Sequence, residues 1–209
     1  MMRFFDFLFP PRADELVMRG VSDNEFLALL SPRLVPETRP GTVALFSFDK
    51  EPVRSAVHEA KYHGSERAFR LLGSALSDYL RDADDVGGAT RFNLVTLVPV
   101  PLGKERLKER GFNQVEEITS RALRGLGDNF ILNTDLLKRV KETQTQISLE
   151  RRRREENMHG AFKATRRADP IYTYIVIDDV VTTGATLQSA IDTLRNAGAI
   201  NIIPLALAH

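Results

Sequence analysis

The chain has 209 residues, of which 43% are hydrophobic and 27% charged, with a formal net charge of +1. That length suits one α/β domain with an appendage, or two small lobes, and can bury a core without covalent staples. The lack of Cys excludes disulfides, a thiolate nucleophile and cysteine-ligated zinc, and the small charge excludes a global pull toward nucleic acid or membrane.

Met1 to Phe9 is apolar but is interrupted by Asp6 and stopped by Pro10-Pro11, too short for a secretory or membrane-spanning segment. It is expected to dock on the core of a cytosolic protein, and no other apolar run is long enough to cross a bilayer. The stretch to Pro40 is rich in Pro and Arg, with one short helix predicted near Ser22 to Leu30, where Ser22 and Glu25 have capping-box spacing. Val43–Phe48 reads as a strand. A helix follows from Pro52, with Val53, Val57 and Ala60 on one face, broken at Lys61-Tyr62-His63-Gly64. A second helix repeats the pattern with Ala68, Leu71, Leu72, Ala75, Leu76 and Tyr79, and Asp82 to Ala89 is expected as an acidic surface loop.

Leu94–Val98 has the continuous apolar character of a buried parallel strand, closed by Pro99-Val100-Pro101. A charged segment precedes a helix around Val115, Ile118, Ala122 and Leu123. Short strands are expected at Phe130–Leu132, Leu136–Val140 and Ala161–Thr165, with a highly charged Lys141–Asn157, expected to be mobile at its start, between the last two. Tyr174–Ile177 is the clearest buried strand. A loop then leads into a helix over Thr186–Ala197, with Gly198 at its C′ position, and Ile202–Ala208 is the final strand. Strands alternating with helices predict an α/β fold: a mostly parallel sheet flanked by helices, with a small N-terminal lobe.

The most informative stretch runs from Tyr174 to Thr186. In open α/β sheets, ligands bind at the carboxyl ends of strands, where a loop enters a helix. Here that loop holds Val181, Thr182, Thr183, Gly184, Ala185 and Thr186. Small and hydroxylated residues let backbone N–H groups approach an anion, and the helix adds its N-terminal donors and dipole, which makes a monophosphate cradle. Asp178 and Asp179 would repel a phosphate, so they are expected to serve another part of the same ligand. A diol suits them, and a ribose 5-phosphate carries both groups. The bland alternative is a surface acid pair and a polar turn that caps a helix. Neither G-x-x-x-x-G-K-[ST] nor G-x-G-x-x-G at a helix start is present, which argues against a P-loop kinase or a nicotinamide dehydrogenase.

Val176–Thr186 resembles the 5-phosphoribosyl 1-pyrophosphate (PRPP) signature of type I phosphoribosyltransferases, and the wider chain resembles the ComF family of competence-associated and gluconate-utilisation-associated proteins. Beyond the signature, the likeness rests on Lys61-Tyr62-His63-Gly64, Val98-Pro99-Val100-Pro101-Leu102, and Arg106 with Arg110-Gly111-Phe112-Asn113-Gln114. It continues through Thr143-Gln144-Thr145-Gln146 and Arg151-Arg152-Arg153-Arg154-Glu155-Glu156-Asn157 into Gly160-Ala161-Phe162. One departure matters. Family members often begin with a cysteine-rich zinc ribbon after a Phe-Pro-Pro-Arg-like start, whereas Leu8-Phe9-Pro10-Pro11-Arg12 here runs into Ala13. The first 42 residues are therefore expected as a docking segment, a degenerate remnant of that region, ahead of a phosphoribosyltransferase-like domain over 43–209.

The resemblance implies roles for these residues. Asp178 and Asp179 would hold the ribose, with Lys61 and Arg110 acting beside them. Pro101, Leu102, Gly103, Lys104 and Arg106 would bind pyrophosphate; prolines cannot donate, so the amides must come from Leu102, Gly103 and Lys104. Thr143, Gln144, Thr145 and Gln146, with Arg151 and Arg152, would belong to a flexible loop that closes over PRPP and excludes water. Asn113 and Gln114 could orient substrate or simply cap a helix. Mg²⁺ would arrive with PRPP rather than in a protein-only metal site, and His58, His63, His159 and His209 are too scattered to form one. The implied activity is transfer of the 5-phosphoribosyl group to a nitrogen nucleophile. The alternatives are a non-catalytic PRPP or nucleotide sensor, and a DNA-uptake accessory acting through the basic stretch Lys138–Arg154. The class also suggests a homodimer, and no readable code identifies the acceptor.

Overall fold

The computed structural model describes residues 11–87, 94–141 and 160–209, of which 84–87 are described by backbone alone. Two short helices open it, α1 (Ala13–Gly20) and α2 (Asp23–Leu27). The predicted capping box is present at α2: Ser22 Oγ accepts from Glu25 N at 3.3 Å, while the Glu25 carboxylate accepts from Ser22 N at 2.7 Å. Helix α1 was not expected. It is fixed from outside, by a two-pronged contact from Arg12 to the buried Glu59 (3.0 and 2.8 Å) and by Ser55 donating to Asp14 at 2.8 Å.

Strands β1 (Arg33–Val35) and β2 (Thr42–Phe46) form an antiparallel pair, followed by α3 (Glu51–His63) and α4 (Glu66–Gly87). Pro52 stands in the first turn of α3, and Gly64, at φ 58°, caps its end. The acidic loop expected at Asp82–Ala89 is corrected: α4 continues to Gly87. Once a helix is nucleated, extension costs little, and nothing before the Gly87-Gly88 pair interrupts it.

The chain continues through β3 (Val95–Pro99), α5 (Lys104–Arg110), α6 (Gln114–Leu123) and β4 (Phe130–Leu132). Helix α5 escaped the periodicity argument because none of its residues is buried, so it has no apolar stripe to detect. Then come β5 (Leu137–Arg139), β6 (Phe162–Ala164), β7 (Thr173–Val180), α7 (Ala185–Asn196) and β8 (Asn201–Ala208).

The main sheet has the order β1-β2-β8-β7-β3-β4, parallel throughout except for β1, while β5 and β6 pair antiparallel as a separate ribbon. Alternate residues of β7 feed two cores. Ile175 and Ile177 pack with Leu97, Leu72 and Ile118 on the α3, α4 and α6 side. Tyr174 and Val176 pack with Leu187, Ile191 and Phe162 on the α7 and β6 side. This is the expected α/β architecture, a mostly parallel sheet flanked by helices, and it is compatible with a type I phosphoribosyltransferase-like fold.

Candidate functional site

Strand β3 ends at Pro99, paired with Ile177, and just beyond it Val100 N–H donates to Ile177 O at 2.8 Å. Strand β7 runs on through Asp178, Asp179 and Val180, held only by β8 on its other edge. After β3 the chain crosses to α6 on one face of the sheet, whereas after β7 it crosses to α7 on the other. Two neighbouring parallel strands whose connections depart to opposite faces leave a crevice at their carboxyl ends, the place where such sheets bind ligands. The two acids stand at its floor.

They are not equivalent. Asp179 continues the Ile175–Ile177 side, is only 8% exposed, and receives Gln114 Nε2–H at 2.7 Å with Lys61 Nζ at 3.4 Å. Its other oxygen accepts from Val180 N at 2.7 Å. Asp178 continues the Tyr174–Val176 side and, among the described residues, accepts only the Asp179 N–H, at 2.9 Å. Burial pushes the Asp178 carboxyl up to about 7, and the neighbouring charge of Asp179 adds to it; the Asp179 N–H, Lys61 and Arg139 oppose the rise. Arg139, at the end of β5, was not singled out from the sequence, because nothing local to it announces that the ribbon comes near Asp178.

The motifs on α3 and α5–α6 pack against one another. Phe112 meets the ring of Phe69 edge-on at 5.6 Å, and a Cβ on Gly64 would lie 3.2 Å from Phe112. Gly111, at φ 80°, ends α5 and turns the chain back. Asn113 then caps α6 through Oδ1 and donates Nδ2–H to Val100 O at 3.1 Å, closing the excursion of residues 100–113 at its base. Arg110 donates to Gln114 Oε1 at 2.9 Å and lies 5.3 Å from the centre of the Tyr62 ring, which also faces Lys61. Lys61, Arg110 and Asp179 are thus gathered into one network.

The expected pyrophosphate loop lies at the tip of β3. Gly103 is buried and precedes α5, Pro101, Leu102 and Arg106 are half-buried, and Lys104 is exposed. In the turn expected to bind phosphate, Val181 serves as an anchor: its side chain is buried and its N–H is committed to Ala208 O at 3.0 Å. The N–H groups of Thr182, Thr183 and Gly184 have no acceptor among the described residues, while Thr183 Oγ accepts from Ala185 N at 3.5 Å. Thr182 is exposed, and Thr183, Ala185 and Thr186 are half-buried. A cavity of about 710 Å³ runs along α7 from Thr183 and Gly184, with Arg166 and Arg167 among its lining residues; Asp178 and Asp179 are not part of it. The predicted closing loop, Thr143–Gln146 with Arg151 and Arg152, lies outside the described residues.

Among the described residues no His, Asp and Glu cluster could hold a metal ion, and no helix is long and apolar enough to cross a membrane.

No family model matches the chain. It is similar to Competence protein F of Haemophilus influenzae, 34% identical over 161 residues, covering 76% of this chain and 69% of the relative. It is also similar to DNA utilization protein YhgH of Escherichia coli K12, 32% identical over 149 residues, covering 71% of this chain and 63% of the relative. Competence protein ComFC of Bacillus subtilis is 34% identical over 103 residues, covering 49% and 39%. The same Lys-Tyr-His-Gly, Arg-Gly-Phe-Asn-Gln and Asp-Asp-Val-Val-Thr-Thr-Gly segments that build the crevice carry the family resemblance, and at this identity and coverage the chain belongs to the ComF family.

Proposed function

We propose that this protein binds PRPP as its Mg²⁺ complex and transfers the 5-phosphoribosyl group to a nitrogen nucleophile, releasing pyrophosphate. The observation that supports this most is the crevice between β3 and β7, where a paired-acid strand tip lies between a turn whose amides have no acceptor among the described residues and a second loop flanked by cations. A ligand with its 5-phosphate on the Thr182–Thr186 turn would lay its ribose hydroxyls over Asp178 and Asp179. Its pyrophosphate would then reach toward residues 101–104 and the Lys61–Arg110 side. Mg²⁺ would arrive with the substrate in this reading and would supply charge neutralisation to the leaving pyrophosphate.

In the reaction the bond from C1′ to the pyrophosphate oxygen breaks, and its electron pair leaves with pyrophosphate. The nucleophile's lone pair forms the new C1′–N bond, and its proton passes to solvent or to a basic group. The sugar becomes cationic midway, so the protein's work is to position the partners and to neutralise the leaving group. Asp179, held by Lys61 and Gln114, is suited to positioning the diol. Asp178, with its raised proton affinity, keeps part of its proton near pH 7 in the free protein and gives it up as diol hydroxyls come to donate to it.

The relatives named for competence and DNA utilization favour a link to DNA uptake, with the phosphoribosyl chemistry serving that process. The test is direct: titrate Mg²⁺–PRPP calorimetrically, then follow pyrophosphate release with nucleobases and small amines. Saturable PRPP binding is expected, abolished in Asp178→Asn/Asp179→Asn. Unchanged affinity in that folded double variant would overturn the ribose assignment, and binding with no pyrophosphate release from any acceptor would leave a sensor rather than an enzyme.

A further inference from the structure

Gln114 is 3% exposed, and its amide touches a different ionic group at each end. Oε1 accepts from Arg110 Nη1 at 2.9 Å, and Nε2 donates to Asp179 Oδ2 at 2.7 Å. The orientation is dictated by chemistry: a guanidinium only donates and a carboxylate only accepts, so rotating the amide would set like against like at both ends. No other neutral side chain of this length offers a donor and an acceptor fixed in one plane. Glu would repel Asp179, and Leu would offer neither an acceptor to Arg110 nor a donor to Asp179.

The two partners lie in different halves of the proposed site. Asp179 belongs to the strand tip that would face the ribose. Arg110 ends α5, which begins at the loop assigned to pyrophosphate, and it lies over the exposed Tyr62 ring beside Lys61. Lys61 closes the circuit by meeting the same Asp179 oxygen at 3.4 Å. Asn113 ties the adjacent backbone to Val100, so the base from which Gln114 projects is fixed to the β3 tip.

We propose that Gln114 is a positioning residue that couples the pyrophosphate half of the site to the ribose half. Its amide transmits the placement of Arg110 to the carboxylate of Asp179, so the two groups act on the ligand as one unit. This rests on the PRPP reading. It predicts that effects at Arg110 and Asp179 are non-additive, and that the non-additivity passes through Gln114. A purely structural glutamine would lower stability without changing that coupling.

The experiment is a double-mutant cycle on Mg²⁺–PRPP affinity, measured calorimetrically for Arg110→Ala, Asp179→Asn and the pair, in the native and Gln114→Leu backgrounds. In the native background the cycle is expected to depart from additivity by about tenfold in Kd, and with Gln114→Leu to fall within about twofold. Additivity in the native background, or coupling that survives Gln114→Leu, would overturn the proposal. A ligand-free measurement accompanies it: the ¹⁵N spectrum of the Arg110 guanidinium. Its Nη signals should be resolved in the native protein and averaged in both Gln114→Leu and Asp179→Asn, although Asp179 is not the group bonded to Arg110. Insensitivity to Asp179→Asn sinks the relay whether or not PRPP binds, whereas failure of the native chain to bind PRPP sinks the functional reading by itself.

Discussion

The Cα of Gly184 faces the carbonyl of Glu37 so closely that a Cβ at position 184 would lie 2.5 Å from that oxygen and 2.9 Å from its carbon. Gly184 also has a φ of 71°, in the left-handed region. The turn before α7 is therefore shaped by the segment between β1 and β2, which also donates Arg39 N–H to Gln188 Oε1 at 2.8 Å.

Gly184→Ala is expected to be costly on two counts, left-handed backbone strain and a clash with backbone atoms that have no rotamer to escape through. A loss of about 2–3 kcal/mol is predicted, together with at least tenfold weaker binding of phosphate ligands. Urea unfolding and titration with ribose 5-phosphate check this. An unaffected variant would mean that the turn and residues 37–38 separate freely.

The raised proton affinity of Asp178 gives stability a definite pH dependence. The folded group titrates at about 7, against roughly 3.9 in an unfolded chain. Between those values the folded state holds the proton and the unfolded state does not, so this contribution is complete below about pH 4 and is lost as pH rises toward 7. Asp178→Asn should therefore unfold at a higher temperature than the native protein at pH 8, with the gap narrowing toward pH 4. A gain of a few degrees is expected, while ligand binding is weakened. A thermal series from pH 4 to 8 reads it.

Ligand binding should move the same proton. Ribose hydroxyls donating to Asp178, with Mg²⁺ nearby, favour its ionised form. Binding of Mg²⁺–PRPP at pH 7 should then release a fraction of a proton, seen as a binding enthalpy that varies with the ionisation enthalpy of the buffer. Asp178→Asn should remove that dependence, and a buffer-independent enthalpy in the native protein would contradict the placement.

One buried acid takes part in fastening the N-terminal segment. Glu59 has 2% of its side chain exposed and faces Arg12, which itself is half in solvent. Arg12→Ala would leave Glu59 buried without its cation. A loss of about 2–3 kcal/mol is expected, trimmed below the usual figure for a fully buried pair because Arg12 is solvated. Arg12→Ala combined with Glu59→Gln should recover part of it. Denaturant unfolding of the three variants decides, and equal losses in single and double variants would show that the pair is not the fastening.

Much of the candidate site was legible as local structure because its signals are consecutive. The apolar run Tyr174–Ile177, the acids, the threonine turn and the helix after it sit within one short span, and each speaks through local backbone chemistry. The Ser22–Glu25 cap and the Pro52 helix start were readable for the same reason. Helices α1 and α5 were not, since one is held by a distant carboxylate and the other buries nothing.

From the order of its residues alone the chain determined a mostly parallel α/β sheet, a small-residue turn ahead of a helix and a pair of acids at a strand tip, since strand alternation, caps and small-residue turns act between near neighbours. Only the tertiary structure decided which helices cover the face that each of Asp178 and Asp179 takes, that Gln114 stands between Arg110 and Asp179, and that Glu37 closes on Gly184. Those relations depend on strand order and on which face each crossover takes, quantities set by burying the whole sheet at once, so no window of sequence contains them.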